Sequence, residues 1–335
     1  MLALIFKRLI QMPIIVGVIY TLTLVLAWAV PGNPLENPEG RRPPEAVMAA
    51  MKAQYNLDSF PKFYFSYLDS ASGLKWVRQS LNGEATRQTD ATKEAGLPPR
   101  PRPIFDLGPS LKHRDQRVMD ILAAALPVSV TLGFAAIIIA VTIGVTAGVV
   151  GAVRPNSLAD IATLVVALVG ISLPSFVIGT AMLLVFGVWL KLLPVGGWGT
   201  IGQMTLPAIT LSLPFAAYIA RLTRMGMIEQ LGSDYVRTAR AKGVSERAVL
   251  LKHALKNAFL PVLSYLGPAL ALSMTGSFVV ERVFNVPGLG QHFVNAVQNK
   301  DLFLIIGVVL VFSTMLVLMN LAVDVLYRWV DPRIE

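Results

Sequence analysis

The stretch Val128-Ser-Val-Thr-Leu-Gly-Phe-Ala-Ala-Ile-Ile-Ile-Ala-Val-Thr-Ile-Gly-Val-Thr-Ala-Gly-Val-Val150 contains no charged residue. A helix that crosses the hydrocarbon of a bilayer needs about 20 mostly apolar residues, and this stretch has that length. It sits inside a longer uncharged region: between Ile121 and Ala220 the only charges are Arg154, Asp160 and Lys191. Across all 335 residues, 54% are hydrophobic, 15% are charged and the mean hydropathy is +0.62. Soluble domains carry about 25% charged residues. A disordered chain, a small disulfide scaffold and an ordinary soluble enzyme are therefore excluded. The chain has no cysteine, which removes disulfides, zinc–thiolate sites, iron–sulfur clusters and thiol nucleophiles.

Six spans follow from the apolar runs: Leu9–Val30, Val128–Val150, Ile161–Trp189, Met204–Thr223, Pro261–Val280 and Leu302–Leu326. The expected fold class is an all-α integral membrane protein with six transmembrane helices. The third run is longer than one crossing needs, which predicts a tilted or broken helix. It contains Ser172-Leu173-Pro174-Ser175, and the fourth contains Pro207 and Pro214. Proline inside a helix removes a hydrogen bond and crowds the preceding turn. In lipid such breaks persist only where neighbouring helices or a water-filled cavity satisfy the freed backbone groups. They mark either tolerated kinks or bends lining a pathway. Gly144-Val-Thr-Ala-Gly148 is a GxxxG spacing, with Gly133 and Gly151 nearby. It predicts close helix packing, within the chain or with a partner.

Basic residues accumulate on the cytoplasmic side of membrane proteins. Lys7 and Arg8 precede the first span, Arg154 lies between the second and third, and Arg328 and Arg333 follow the last. The segment from Arg221 to Lys256 carries eight basic residues against three acidic. With six spans these places fall on one side, which predicts cytoplasmic termini. Residues 31–117 then lie outside. Their 13 basic and 10 acidic residues do not oppose this, because long loops translocate largely regardless of charge. Lys7-Arg8, the apolar run and Ala27-Trp28-Ala29 also have the outline of a cleaved signal peptide. The run is longer than such h-regions, and Pro31 stands close behind the would-be cut. An uncleaved anchor over residues 1–30 is expected.

The outer segment, 31–117, holds half of the chain's 22 prolines. Glu45–Tyr55 has the pattern of a short amphipathic helix. Phe60, Phe63, Tyr64, Phe65 and Tyr67 predict an aromatic stretch at the membrane interface. Ser70–Pro103 is polar and turn-rich and reads as a flexible insertion with solvated charges.

Between the fourth and fifth spans, in the region 225–259, comes Asp234-Tyr-Val-Arg-Thr-Ala-Arg-Ala-Lys-Gly243, then Val-Ser-Glu-Arg-Ala-Val-Leu-Leu-Lys-His253. Tyr235, Ala239 and Lys242 recur at helical spacing. Gly243 is a natural helix stop, and Ser245 can cap the next helix. Two short helices joined by a glycine turn are expected. On physical grounds alone a basic loop of this kind either lies on the membrane surface or docks a partner.

Asp234–Pro261 closely resembles the cytoplasmic coupling loop, the EAA loop, of permease subunits of binding-protein-dependent ABC importers. That family's pattern is E-A-A-x-x-x-G with an I-x-L-P element downstream. Here the residues are Arg237-Thr238-Ala239-Arg-Ala-Lys-Gly243 and then Ala254-Leu255-Lys256, and these departures resemble the di/oligopeptide (and nickel) branch, whose members often read D-Y-V-R-T-A-R-A-K-G. Further stretches support the branch. They are Asn56-Leu57-Asp58, Asp106-Leu107-Gly108-Pro-Ser110, Leu126-Pro127-Val-Ser129, Ser172-Leu173-Pro174-Ser175-Phe176, and Glu281-Arg-Val-Phe284-Asn-Val-Pro287-Gly288-Leu-Gly290. The likeness covers most of the chain outside Ser70–Pro103.

The resemblance implies a type I ABC importer permease (MetI-like) fold, with a five-helix core over 118–330. It implies a subunit of the bacterial inner membrane that pairs with a second homologous permease. Two ATPase subunits carrying ATP-Mg and an external solute-binding protein complete the assembly. The coupling loop would be built from Asp234, Arg237, Ala239, Arg240, Lys242, Gly243, Val244 and Ser245, with Gly243 allowing the tight turn and Ala239 close approach to an ATPase. Arg237, Arg240 and Lys242 would meet an acidic ATPase surface or lipid headgroups. Leu173, Pro174, Ser175, Phe176 and Glu281 are the pathway candidates; Phe284, Pro287, Gly288 and Gly290 are placed near the binding protein. Nickel or another small solute is the alternative cargo to a di- or oligopeptide.

Other chemistry finds little footing. No G-x-x-x-x-G-K-S/T phosphate loop is present, so the chain has no nucleotide site of that kind. No cofactor, metal site, nucleic-acid partner or enzymatic activity of its own is expected. His113, His253 and His292 are scattered. A gradient-driven transporter would need ionisable groups inside the spans. The one candidate is Asp324, with Asn320 a turn before it.

Overall fold

The computed structural model describes residues 2–29, 45–82, 104–113, 116–275 and 278–330. Among them five helices are long and apolar enough to cross a bilayer, or six if one sharply bent pair counts as a single span. The long helices are α1 (Leu2–Ala29), α5 (Val118–Val153), α8 (Ile201–Leu231), α12 (Leu260–Thr275), followed by the short α13 (Phe278–Val283), and α15 (Leu302–Val330). The bent pair is α6 (Leu158–Ser172) with α7 (Ser175–Met182) and a π-helical continuation, Leu183–Trp189, meeting at 109°.

The break falls at Leu173-Pro174. Leu173 is extended (φ −84, ψ 132), as the residue before proline prefers, and Pro174 (φ −59, ψ 140) leads into α7. The other expected breaks are absent: α8 runs unbroken through Pro207 and Pro214. Its start is fixed by a capping box, in which Thr200 Oγ1 accepts from Gln203 N–H and Gln203 Oε1 accepts from Thr200 N–H. Around the prolines, Leu206, Ala208, Leu211, Ala216 and Ala217 are buried, so packing supports a continuous helix there.

The chain divides into two compact units. The first comprises residues 1–15, 125–292 and 312–335. One seam joins α5 to α8. A Cβ on Gly148 would lie 2.5 Å from Thr223 Cβ, and one on Gly144 would lie 2.6 Å from the Ala216 carbonyl oxygen. The GxxxG face is thus used inside the chain. Arg8 pairs with Asp324 at 2.7 Å, so the single acid considered for proton chemistry has a basic partner.

The second unit comprises residues 16–124 and 293–311. It contains α2 (Glu45–Tyr55), α3 (Phe60–Ala71) and α4 (Leu74–Leu81). The ring of Tyr67 stacks on Tyr20, while Phe60 and Phe63 meet Trp28, and Phe63 and Tyr67 meet Phe303, edge-on or tilted. Tyr20 donates a hydrogen bond to the Tyr64 carbonyl at 2.7 Å. Two expectations change here. Phe63 and Tyr67 are core residues of this unit rather than interface anchors. The start of the supposed flexible insertion, up to Leu81, is the end of α3 plus α4; the remainder of that insertion, residues 83–103, lies outside the described residues.

Candidate functional site

The basic loop folds as expected, and the reason is visible in its hydrogen bonds. Helix α9 (Asp234–Ala241) ends on Lys242, and Gly243 takes a left-handed conformation, φ +75. The Gly243 N–H donates to the Arg240 carbonyl at 2.9 Å and the Val244 N–H to the Ala239 carbonyl at 3.2 Å. This pair of bonds is a Schellman motif, which satisfies carbonyls that the helix end leaves open. The chain then reverses into α10 (Glu246–Ala248), a π-helical turn (Val249–Ala254) and α11 (Leu255–Ala258). Ser245 stands at the cap position, but its hydroxyl makes no capping bond.

A small apolar core closes the loop: Val236, Ala239 and Val249 are buried, with Leu231 and Val244 packed against them. Ala239 therefore faces inward. Its small size permits close approach within the loop rather than toward a partner, which corrects the role expected for it. The outward set is Asp234 (97% exposed), Arg237, Arg240, Lys242, Gly243 and Ser245. Arg240 is braced across the turn by Glu246 at 2.6 Å, and Arg237 leans on Asp234 at 3.4 Å. The Arg240 guanidinium holds the Glu246 carboxyl below the usual glutamate range.

Two attachments join the loop to the spans. The Tyr235 hydroxyl donates to Gln230 Oε1 at 2.7 Å and accepts from Asn257 Nδ2 at 3.1 Å, linking α9 to both flanking helices. Below it, Ala152, Met227, Ala254 and Ala258 form a buried cluster. Higher on α8, Arg224 donates to Asp160 through Nε at 2.5 Å and through a terminal nitrogen at 2.8 Å. Asp160 is 1% exposed and also accepts from Asn156 N–H at 2.8 Å. Sequence reasoning marks Asp160 only as a stray charge and does not single out Tyr235 or Asn257 as anchors. The available signal at Asp160 is a lone acid in a long uncharged stretch, four residues after an asparagine and three after a serine.

The candidates at the other end of the first unit divide. Leu173, Pro174 and Phe176 are exposed at the bend, and Ser175 is partly so; they are surface that a pathway or lipid can use. Glu281 is 0% exposed. Its carboxylate accepts from Ser129 Oγ at 2.7 Å, Gly290 N–H at 2.8 Å and Gln291 N–H at 3.1 Å. Ser129 Oγ in turn accepts from Leu289 N–H at 2.8 Å. Buried in this way, Glu281 lines no surface-open path in this conformation. It anchors the start of α14 (Leu289–Gln298) to α5. Phe284, Gly288 and Gly290 are likewise buried, Phe284 in a cluster with Leu132, Leu206 and Leu211. Of the four residues expected to face a binding protein, only Pro287 is exposed. Among the described residues no three metal-ligating side chains converge.

Residues 140–335, more than half of the chain, match the family model described as "binding-protein-dependent transport system inner membrane component". The chain belongs to that family. It is accordingly a multi-pass membrane protein and a transport component rather than an enzyme. The whole chain is 40% identical to the oligopeptide transport system permease protein OppB of Haemophilus influenzae, over 338 residues and all of both chains. It is 39% identical to OppB of Escherichia coli, over 95% of this chain and 94% of that one. It is 38% identical to the dipeptide transport system permease protein DppB of Bacillus subtilis, over 98% of this chain and 96% of that one. In fold, the permease resembles a chain of the inward-facing MetNI methionine ABC transporter, with a TM-score of 0.50 at 20% identity, covering 63% of this chain and 97% of that one.

Proposed function

We propose that this chain is one of two membrane-spanning subunits of a di- or oligopeptide importer. A solute-binding protein delivers substrate from outside, and two ATPase subunits drive the cycle from the cytoplasm. The carrying observation is the end-to-end similarity to permeases named for oligopeptide and dipeptide transport. It is supported by the compact, exposed loop over 234–258, whose form suits insertion into a partner's cleft. The excess of basic residues around that loop favours a cytoplasmic placement for it and for both termini. Ala239 holds the loop together, while Arg237, Lys242 and Ser245 meet the ATPase. The bend at Leu173–Phe176 contributes to the pathway, and rigid-body rocking of the permease pair carries ATPase closure to it.

The test is affinity purification of the tagged chain from gently solubilised membranes, with mass spectrometry of the companions. ATPases and a second permease are expected to co-purify. Uptake of labelled tripeptide and of nickel ion, assayed in a strain carrying only this transporter, separates the two cargo classes. A chain that emerges alone or as a homomer, or uptake of nickel without peptide, overturns the proposal.

A further inference from the structure

We propose that α4 lies flat in the membrane–water interface, at the level where α15 begins, with its apolar face in phospholipid. Leu74, Val77 and Leu81 share one face of the helix by their spacing, and all three are exposed, Leu81 by 82%. Gly73 turns the chain with φ +80 and brings Ile104 and Phe105 beside the same face; both are half exposed. A contiguous apolar surface of this kind is rarely left to water. The flank of α4 that carries Lys75, Arg78 and Gln79 is polar. Arg78 pairs with Asp69 at 2.6 Å, and Lys75, Arg78, Asp69, Asp106 and Arg117 line a cavity of about 530 Å³.

The depth of α4 identifies what covers the apolar side. Helix α3 leads into α4 through only Ser72 and Gly73. The rings of Phe60 and Phe63 lie 5.5 and 5.6 Å from Trp28, next to the last residue of α1. Those of Phe63 and Tyr67 lie 5.7 Å from Phe303, the second residue of α15. The Phe303 contacts set the later turns of α3 at the start of α15, where hydrocarbon gives way to headgroups, while Tyr64 and Tyr67 also reach Tyr20 deeper in α1. A short helix held there, apolar on one side and bearing Trp76, Lys75 and Arg78, has the make-up of an interfacial amphipathic helix. The tryptophan suits the headgroup level, and the lysine suits lipid phosphate. The inference rests on the membrane-spanning reading alone and not on the identity of the transported solute.

The chain's lack of cysteine makes the test clean. Spin labels are placed singly at Leu74→Cys, Lys75→Cys, Val77→Cys and Leu81→Cys in the intact transporter, reconstituted in phosphatidylethanolamine–phosphatidylglycerol vesicles. Collision with oxygen, which concentrates in lipid, is compared with collision with a water-soluble nickel chelate. At positions 74, 77 and 81 oxygen is expected to relax the label several-fold more than the chelate, with the order reversed at 75. Independently, Trp76→Phe should remove a component of tryptophan fluorescence that lipids brominated near the headgroup quench. Chelate-dominated collisions at all four sites would show a water-facing helix and overturn the proposal. So would low collision rates with both agents at 74, 77 and 81, which would mean that a second subunit covers the face. Protection appearing only when the solute-binding protein is added would reassign the face to that protein.

Discussion

Asp160 receives both the Nε and a terminal nitrogen of Arg224, at 2.5 and 2.8 Å, and so ties the first turn of α6 to α8 two turns before that helix ends. The pair sits at the foot of the α5–α8 seam, where Gly151 leaves room: a Cβ there would lie 3.0 Å from Asp160 Oδ1. Breaking one side of a buried pair strands the other charge, at about 3 kcal/mol or more. Asp160→Ala and Arg224→Ala should each lower the melting temperature of the detergent-solubilised transporter markedly. The Asp160→Ala/Arg224→Ala double variant should lose less than the sum of the two single losses. Strict additivity would show that the pair contributes nothing as a pair.

Ser129 and Glu281 form the corresponding tie at the other end of α5. Glu281→Ala leaves three donors without their acceptor, each costing about 1–3 kcal/mol. Glu281→Gln keeps the shape and one acceptor oxygen and should cost less. Limited proteolysis within 285–291 is the readout, since release of α14 exposes that turn. Equal protection in wild type and Glu281→Ala would mean the loop is held by Phe284 and its neighbours alone.

At Gly243 an added Cβ meets nothing within 4 Å, so only the backbone angle resists substitution. A left-handed residue bearing a Cβ costs about 1–2 kcal/mol, least for asparagine. Gly243→Asn should retain ATPase subunits on affinity purification, and Gly243→Val should lose them. If Asn and Val behave alike, steric contact with the partner rather than the turn is what selects glycine.

The Arg240–Glu246 brace predicts a pH dependence with a definite sign. Its carboxylate titrates lower in the folded loop than in an unfolded chain. The brace's contribution is therefore complete above the ordinary glutamate pKa of about 4.3 and fades as pH falls through the lowered value. The mobility of a spin label at Ala241→Cys should stay flat from pH 8 to 6 and rise only in acid. Glu246→Gln should abolish the rise by making the label mobile throughout.

Gly148 is the tightest point of the α5–α8 seam. Gly148→Leu should overpack it by about 1–3 kcal/mol and reduce the yield of folded protein on size-exclusion chromatography. At Gly17 an added Cβ would meet nothing within 4 Å, so Gly17→Leu should be accepted without loss.

Much of this is legible in the residues. Charge spacing marks the spans, because lipid leaves the backbone few options. Pro174 marks the bend, since the residue before it prefers extended backbone; Pro207 and Pro214 do not interrupt α8, because flanking packing outweighs the lost hydrogen bonds. The glycine turn at 243 is readable from local chemistry alone. The partners of Asp160 and Glu281 are not, since Arg224 lies 64 residues and Ser129 152 residues away in sequence. Ala239 and Phe284 are misplaced by the motif for a related reason: a motif tells which residues matter, and only packing tells which way they face.

The inward turn of Ala239 separates two jobs that a short loop often merges. Val236, Ala239 and Val249 keep the loop in shape from within, while Asp234, Arg237, Lys242 and Ser245 are displayed outside that core. Those four positions can thus be rewritten without unravelling the frame beneath, provided Gly243 and the Arg240–Glu246 brace are kept. Transplanting only those positions from another transporter's loop onto this one is then a route to an exchangeable plug that leaves the membrane-spanning part alone.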